Sequence, residues 1–157
     1  MFISLNYALK TEIKSKMAKY KANGETFETF VAEYGYAEWM DNYTESEEGE
    51  EMSEAECKAI DDCLASMWDS LISYGELEEA ADRYTEANYP YHSDRFSLLD
   101  EVMQNGETMY TFGDVDVSIF RAGSEYEKFG DVIEYSVPLK DAEGDIENWR
   151  VLCYEIA

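Results

Sequence analysis

Carboxylates are the most abundant side chains in this chain that could take part in catalysis or binding. Its 157 residues include 36 Asp and Glu against 12 Lys and Arg, a formal net charge of −24. Paired carboxylates can do general acid–base work, but with so many acids some pair always stands at a suitable spacing, so the spacing carries no information. The single histidine, His92, follows Pro90-Tyr91 and is predicted to lie in a surface turn. We therefore expect no catalytic residues.

Motifs of the common catalytic and cofactor sites are absent from the sequence. There is no glycine-rich phosphate loop, G-x-S-x-G elbow, H-E-x-x-H or C-x-x-C spacing. The three cysteines, Cys57, Cys63 and Cys153, are expected to be reduced and mostly buried. Residues 141–147, DAEGDIE, superficially suggest a calcium loop, but the glycine comes fourth rather than sixth as in an EF-hand. We predict a hairpin turn there, no metal site and no cofactor, with adventitious cation binding left open. The chain is predicted not to be an enzyme.

The acidic residues recur at helical spacing through the middle of the chain. Carboxylates four residues apart on a helix lie roughly 6 Å apart along its axis, and phosphates along one DNA strand lie about 7 Å apart. Such rows therefore offer negative charges at phosphate-like intervals. We predict that a partner protein binds these carboxylates: Asp41, Glu45, Glu47, Glu48, Glu50, Glu51, Glu54, Asp61, Asp62, Asp69, Glu78, Glu79, Asp82 and Glu86.

The charge is unevenly distributed along the sequence. Residues 1–21 carry a net +4, residues 22–106 a net −20 and residues 107–157 a net −8. A field this negative repels nucleic acid and membrane surfaces and attracts basic grooves on other proteins, so direct DNA binding is not expected. Lys10, Lys14 and Lys21 form one helical stripe that could touch RNA or DNA locally. We favour their pairing with acidic residues of the same chain or of a second copy, which leaves a homodimer open.

Composition predicts one folded domain over residues 1–157. A hydrophobic fraction of 45% and an aromatic fraction of 15% are sufficient for a packed core and too high for a disordered acidic tail. No apolar run approaches the roughly 18 residues that a membrane span needs, and the N-terminus lacks the pattern of a signal peptide. We expect the protein to act in the cytosol, the host cytosol if a phage encodes it.

Helices are predicted to position the acidic rows in the helical part, residues 1–106. Apolar residues recur every three to four positions there, as on one face of an amphipathic helix. A capping box, Ser53 to Glu56, begins the clearest helix, and Gly75 is the predicted end of it. The glutamate-rich segment 44–52 is predicted to be a solvated loop. The predicted helices cover residues 4–22, 26–35, 53–75, 76–87 and 93–105.

The periodicity changes from 3.6 to 2 in the β part, residues 107–157. Val115, Val117 and Ile119 alternate with polar residues, as on a half-buried strand. Trp149–Ile156 is apolar on both faces, which predicts a central strand or one covered on both sides. The fold class is therefore α+β, with about five N-terminal amphipathic helices followed by a C-terminal antiparallel sheet of three or four strands.

These features resemble the acidic DNA-mimic proteins that phages and mobile elements use against host defence, of the anti-CRISPR and antirestriction types. The resemblance rests on small size, strong acidity, high aromatic content and missing catalytic motifs over the whole chain, without a motif match. It implies a non-enzymatic inhibitor that binds the basic nucleic-acid-binding groove of a host defence protein and mimics phosphates there. A CRISPR effector nuclease is favoured because it has a positively charged channel and an arginine-containing PAM cleft. A restriction complex offers a similar groove.

Three other functions are compatible with the composition. The chain could be an acidic chaperone or regulator of a basic host protein, a halophilic domain whose acidity serves solvation, or an enzyme or small-molecule binder without a known motif. Mimicry predicts that the carboxylates of residues 41–86 form one contiguous face. A halophilic surface predicts even acidity on all sides, and an enzyme predicts a deep pocket with convergent polar groups.

Overall fold

The computed structural model describes residues 7–33, 54–90 and 97–157. Within these ranges five helices precede a four-stranded antiparallel sheet, which confirms the α+β class. The chain divides into two compact units, Met1–Ser70 and Leu71–Ala157. Two helices therefore share a unit with the sheet, instead of grouping with the other helices of residues 1–106. The single domain over residues 1–157 stays a prediction.

The first unit contains three helices in its described parts: α1 (Tyr7–Ala22), α2 (helical over 27–33) and α3 (Glu54–Ser70). The predicted end of α1 is confirmed, since the chain turns at Asn23-Gly24 and Gly24 has a φ of 80°. Aromatic contacts join α2 to α3, with ring centroids of Phe30 and Trp68 6.0 Å apart. The continuation of the second helix to residue 35 and the loop 44–52 lie outside the described residues.

Helix α1 is covered along most of its described length, and Lys10, Lys14 and Lys21 lie along one side of it, as their spacing predicted. Every side chain described on it, from residue 10 to residue 22, is buried or half-buried. Even polar residues are covered: Thr11 and Ser15 are buried, and the Ser15 hydroxyl donates to the Glu12 carbonyl at 2.6 Å. The five lysines are all half-buried, as expected of long side chains whose aliphatic stems lie along the protein surface.

The second unit begins with a short extended segment where the sequence predicted helix. Helix α3 ends at Ser70, not at Gly75. Ile72 then pairs with Tyr154, and their backbone N–H groups donate to each other's carbonyls at 2.7 and 2.8 Å. This long-range pairing ends α3 before the predicted end at Gly75, and the helical spacing of apolar residues does not predict it.

A second capping box begins α4 (Tyr74–Asn88) immediately afterwards. The Ser73 hydroxyl accepts from the backbone N–H of Glu76 at 3.2 Å, and the Glu76 carboxylate accepts from the backbone N–H of Ser73 at 3.4 Å. Gly75 therefore lies in the first turn of α4 instead of ending α3. The predicted start of this helix at residue 76 is correspondingly two residues late.

Helix α5 (Leu98–Val102) is much shorter than the predicted helix over residues 93–105. Its N-cap is Ser97, whose backbone is extended and whose hydroxyl accepts from the Asp100 N–H at 3.3 Å. A helix running continuously from Ser93 is therefore wrong, although Ser93 itself lies outside the described residues.

The sheet follows chain order, β1-β2-β3-β4, with all neighbours antiparallel. Its strands are β1 (Gly106–Phe112), β2 (Val115–Phe120), β3 (Val132–Lys140) and β4 (Ile146–Ile156). The predicted alternation on β2 is confirmed, because Val115, Val117 and Ile119 are buried and the residues between them are half-buried. Val132 and Tyr154 join Leu77, Ala81, Leu98 and Leu99 in one hydrophobic core that holds α4 and α5 against the sheet.

Among the described strands β4 lies at the edge of the sheet, so the prediction of a central strand is wrong, and coverage on both faces fails at residues 149–151. Cys153, Tyr154 and Glu155 are buried, but residues 146–151 are exposed. Apolar residues on both faces of a strand make its burial favourable, but burial also requires neighbouring elements that cover both faces.

Candidate interaction surface

Helix α4 presents an exposed acidic row on the side opposite its core contacts. Leu77 and Ala81 are buried in the hydrophobic core of the second unit. Glu78, Asp82 and Glu86 are exposed, and their four-residue spacing places them roughly 6 Å apart along the helix axis. Throughout the described chain none of these three carboxylates forms an ion pair. We call Glu78, Asp82 and Glu86 the α4 row; Glu79, also exposed, stands beside it.

Helix α3 carries a second set of predicted residues within the first unit. Glu54, Asp62 and Asp69 are exposed, and Asp61 is half-buried. Lys58 Nζ lies 3.4 Å from Asp62 Oδ2 one turn away, with both side chains largely exposed. Such a surface pair contributes little to stability, but it offsets part of the negative charge on α3.

The remaining predicted partner-binding residues cannot be placed on this surface. Asp41, Glu45, Glu47, Glu48, Glu50 and Glu51 lie outside the described residues. The carboxylates of α3 and of α4 belong to different units, so each set is described by itself. One contiguous acidic face over residues 41–86 stays a prediction.

Four of the five lysines of α1 make interactions within the protein. Lys10, Lys14 and Lys21 are half-buried, and Lys14 and Lys21 already make interactions inside the chain. Lys21 Nζ donates to the Trp68 carbonyl at 2.7 Å and lies 5.5 Å from the centroid of the Trp68 ring. The predicted contacts of these lysines with nucleic acid or with acidic residues stay predictions. The contacts with Trp68 make Lys21 part of the packing of the first unit.

Around Lys21 the first unit has a cavity of about 440 Å³. Its aromatic side is Phe27 and Trp68, whose ring centroids are 5.9 Å apart. Its lining also includes acidic residues, and Lys21 supplies a cation that already lies over Trp68. The lining residues are Lys21, Glu25, Thr26, Phe27, Glu28, Ala65, Trp68 and Asp69.

The turn between β3 and β4 is a hairpin, as predicted. Asp141 Oδ1 accepts from the backbone N–H groups of Glu143 and Asp145, each at 2.9 Å, and Gly144 has a φ of 89°. The carboxylates of Asp141, Glu143 and Asp145 each offer an oxygen within 4.8 Å of the others. They could hold a cation in principle, but Asp141 is already used to order the turn.

The cysteines and the histidine add no reactive centre to the described surface. Cys63 is half-buried and Cys153 is buried, and among the described residues neither belongs to a disulfide. The Cys57 side chain and His92 lie outside the described residues.

One titratable pair was missed by sequence reasoning. Burial raises the pKa of Glu134, while a hydrogen bond with Tyr154 lowers it. Burial and the neighbouring Glu134 carboxylate raise the pKa of Tyr154 to about 12. Glu134 and Tyr154 are opposite each other on β3 and β4, so the hydrogen bond ties the two strands together. Alternation alone marked Glu134 as a polar position and gave no sign of its partner.

A second missed feature is the apolar surface at the outer end of the β3–β4 hairpin. Leu139, Ile146, Trp149 and Val151 are 46%, 52%, 44% and 37% exposed. In the register of β3 and β4, Ile146, Trp149 and Val151 lie on one face of the hairpin, whereas Leu139 lies on the other. We call Ile146, Trp149 and Val151 the hairpin patch. The doubly apolar run that begins at Trp149 was its only signal in the sequence.

Comparison with known proteins gives this surface no precedent. No helix within the described ranges is both long and apolar enough to cross a membrane. No protein-family model, curated protein or solved structure matches the chain.

Proposed function

We propose that this protein is a non-enzymatic acidic inhibitor that binds the basic nucleic-acid-binding groove of another protein and occupies it in place of nucleic acid. The observation that carries the proposal is the α4 row: three exposed carboxylates at phosphate-like spacing, none neutralised by an ion pair in the described chain. Arginines or lysines that grip successive phosphates would meet negative charges at similar intervals.

The α4 row is held in place before any partner arrives. Its helix is fixed at its first turn by the Ser73–Glu76 capping box and along its inner face by Leu77 and Ala81. A rigid array of charges loses little conformational entropy on binding, so more of the interaction energy is available for affinity. This distinguishes the row from a flexible acidic segment, which would have to be ordered.

Long-range attraction supports the same proposal. A net charge of −24 on 157 residues accelerates encounter with a positively charged groove and does so less at high ionic strength. Among basic grooves, the channel of a CRISPR effector nuclease is the favoured target, with a restriction complex as a related case. A phage-encoded inhibitor of host defence fits that chemistry.

The test begins with a pull-down from host lysate at low and moderate salt, followed by competition between this protein and labelled DNA for the purified partner. The variant Glu78→Gln/Asp82→Asn/Glu86→Gln removes the α4 row. Three lost surface ion pairs of about 0.5–1 kcal/mol each should weaken inhibition by roughly tenfold to a hundredfold.

A matched control removes three exposed carboxylates of the same unit that lie outside α4: Glu107→Gln/Glu125→Gln/Glu127→Gln. It should inhibit nearly as well as the natural protein, because its net charge equals that of the α4 variant while the row is intact. Full nucleic-acid binding by the partner in the presence of saturating protein would refute the inhibitor. Equal losses in the two variants would refute the α4 row as its contact.

A further inference from the structure

The outer end of the β3–β4 hairpin combines exposed apolar side chains with an open backbone edge. All residues from 142 to 151 are exposed, and the hairpin patch contributes three large apolar side chains to this stretch. Single exposed apolar residues are ordinary on protein surfaces, but several together on one element mark an interaction site.

The backbone of β4 faces outward along part of this stretch. Trp149 is opposite Pro138, which has no N–H to donate, and the Trp149 N–H donates instead to Asn148 Oδ1 at 2.8 Å. Trp149 is therefore not in a hydrogen-bonded pair with β3, and its backbone groups point away from that strand. Val151, two residues on, has the same orientation.

The edge is closed at one end and open at the other. Beyond Val151, Tyr154 is paired with Ile72, which covers the edge there. Among the described residues no strand pairs with the outer side of β4 between Ile146 and Val151. The ladder to β3 is regular over residues 148–151, between two register shifts. This leaves a straight edge of about four residues that can accept another strand.

We propose that this edge is a strand-addition site for an extended, basic segment of the partner protein, with apolar and basic side chains alternating along it. The inference rests on the proposed function, since it gives the same basic partner a second contact. Backbone hydrogen bonds to Val151 and to the Trp149 carbonyl supply affinity, and alternate apolar side chains pack on the hairpin patch.

Charge selects this occupant over a second copy of the chain. The outer end of the hairpin, residues 140–150, carries four carboxylates against two cationic side chains, and the whole chain carries −24. Two copies would bring these acids together across the new strand pair, whereas a basic segment would neutralise them. The residues concerned are Asp141, Glu143, Asp145 and Glu147, with Lys140 and Arg150.

The test uses the full chain and a ten-residue peptide of alternating valine and lysine. Its control is the same peptide N-methylated at every second residue, which keeps the charge and removes the donors needed for strand pairing. Fluorescence anisotropy should show at least tenfold tighter binding of the unmodified peptide. Hydrogen exchange at the amide of Val151 should slow on binding.

Two substitutions at one position separate the edge from general electrostatic attraction. Val151→Pro removes an outward N–H at a position where an edge strand tolerates proline, and it should abolish the difference between the two peptides. Val151→Thr keeps the N–H and the β-branched shape and should preserve the difference.

Equal binding of the two peptides to the natural protein would overturn the inference, whatever the behaviour of the Val151 variants. Sedimentation showing a dimer that Val151→Pro dissolves would also overturn it, in favour of a second copy. The proposed function is judged separately by the α4 competition. Peptide discrimination without inhibition would refute only that function, and inhibition without peptide discrimination would refute only the strand-addition site.

Discussion

Replacing Gly75 with alanine should stabilise the protein. Sequence pattern placed Gly75 at the end of a helix, where its flexibility would be needed, but the structure places it in the first turn of α4. Its backbone is not in the positive-φ region. A Cβ added there would meet only the Ser73 hydroxyl, at an ordinary van der Waals distance of 3.9 Å. Nothing therefore opposes the alanine.

The magnitude follows from the conformational freedom that glycine loses in a helix. Glycine is about 1 kcal/mol less favourable than alanine in a helix interior, and the unfolded chain is also more restricted with alanine. Since the first turn is less constrained than the interior, we expect a gain of about 0.5–1 kcal/mol. With an m-value of about 2 kcal/mol/M, the urea midpoint rises by roughly 0.3–0.5 M.

The assay is urea unfolding followed by far-ultraviolet circular dichroism, with the m-value unchanged. Gly130→Ala is the opposite control: Gly130 has a φ of 101°, and an added Cβ would collide with the Ala157 carbonyl oxygen. That variant should lose more than about 1 kcal/mol. An unchanged or lower midpoint for Gly75→Ala would show that Gly75 has the helix-ending conformation indicated by sequence, and would refute the boundary at Ser73.

Three further predictions concern the second unit. Leu77→Ala should lower the free energy of unfolding by about 2–5 kcal/mol because Leu77 is fully buried, whereas Glu79→Ala on the exposed side should change it by less than about 0.5 kcal/mol; similar effects of the two would contradict the orientation of α4. Burial raises the pKa of Glu134 in the folded protein, so as pH rises past about 4.5 the unfolded chain loses this proton first and stability falls. At pH 7 the free energy of unfolding of Glu134→Gln should therefore exceed that of the natural protein by less than about 1 kcal/mol. The difference should shrink towards pH 4.5, and a difference independent of pH would refute the ionisation argument. Because the pKa of Tyr154 is raised to about 12, ultraviolet titration should show a tyrosine ionising near pH 12 that Tyr154→Phe removes, and stability should fall as pH rises above 10; a titration curve unchanged by that substitution would contradict the assignment.

Local sequence patterns predicted the elements better than their boundaries. The alternation of Val115, Val117 and Ile119 fixed β2 because one face of that strand is buried along its whole length. The sequence Ser73-Tyr-Gly-Glu76 has the pattern of a capping box. The helical spacing of apolar residues continues through Ile72, however, and therefore favoured one longer helix. What ends α3 is the pairing of Ile72 with Tyr154, a contact across 82 positions that no short window contains.

The candidate surface was predicted only in part for a similar reason. Amphipathic spacing placed the α4 row correctly on the exposed side of its helix. It could not locate the hairpin patch, because exposure depends on the strand's place in the sheet and Trp149 has the composition of a core residue. Nor could it show that Lys21 packs against Trp68, since helical periodicity says nothing of a neighbouring helix.

The strand order of the sheet bears on how quickly the second unit folds. Every ladder of the four-stranded sheet joins strands that are consecutive in the chain, through residues 113–114, 121–131 and 141–145. Because loop-closure entropy grows slowly with length, each ladder closes with a modest loss of chain entropy. Between β1 and β2 the loop is only Gly113-Asp114, with Gly113 at a φ of 63° that such a tight hairpin requires. Assembly can then proceed one hairpin at a time, without a search for distant strands. Turn residues, more than core residues, should set the folding rate of this sheet.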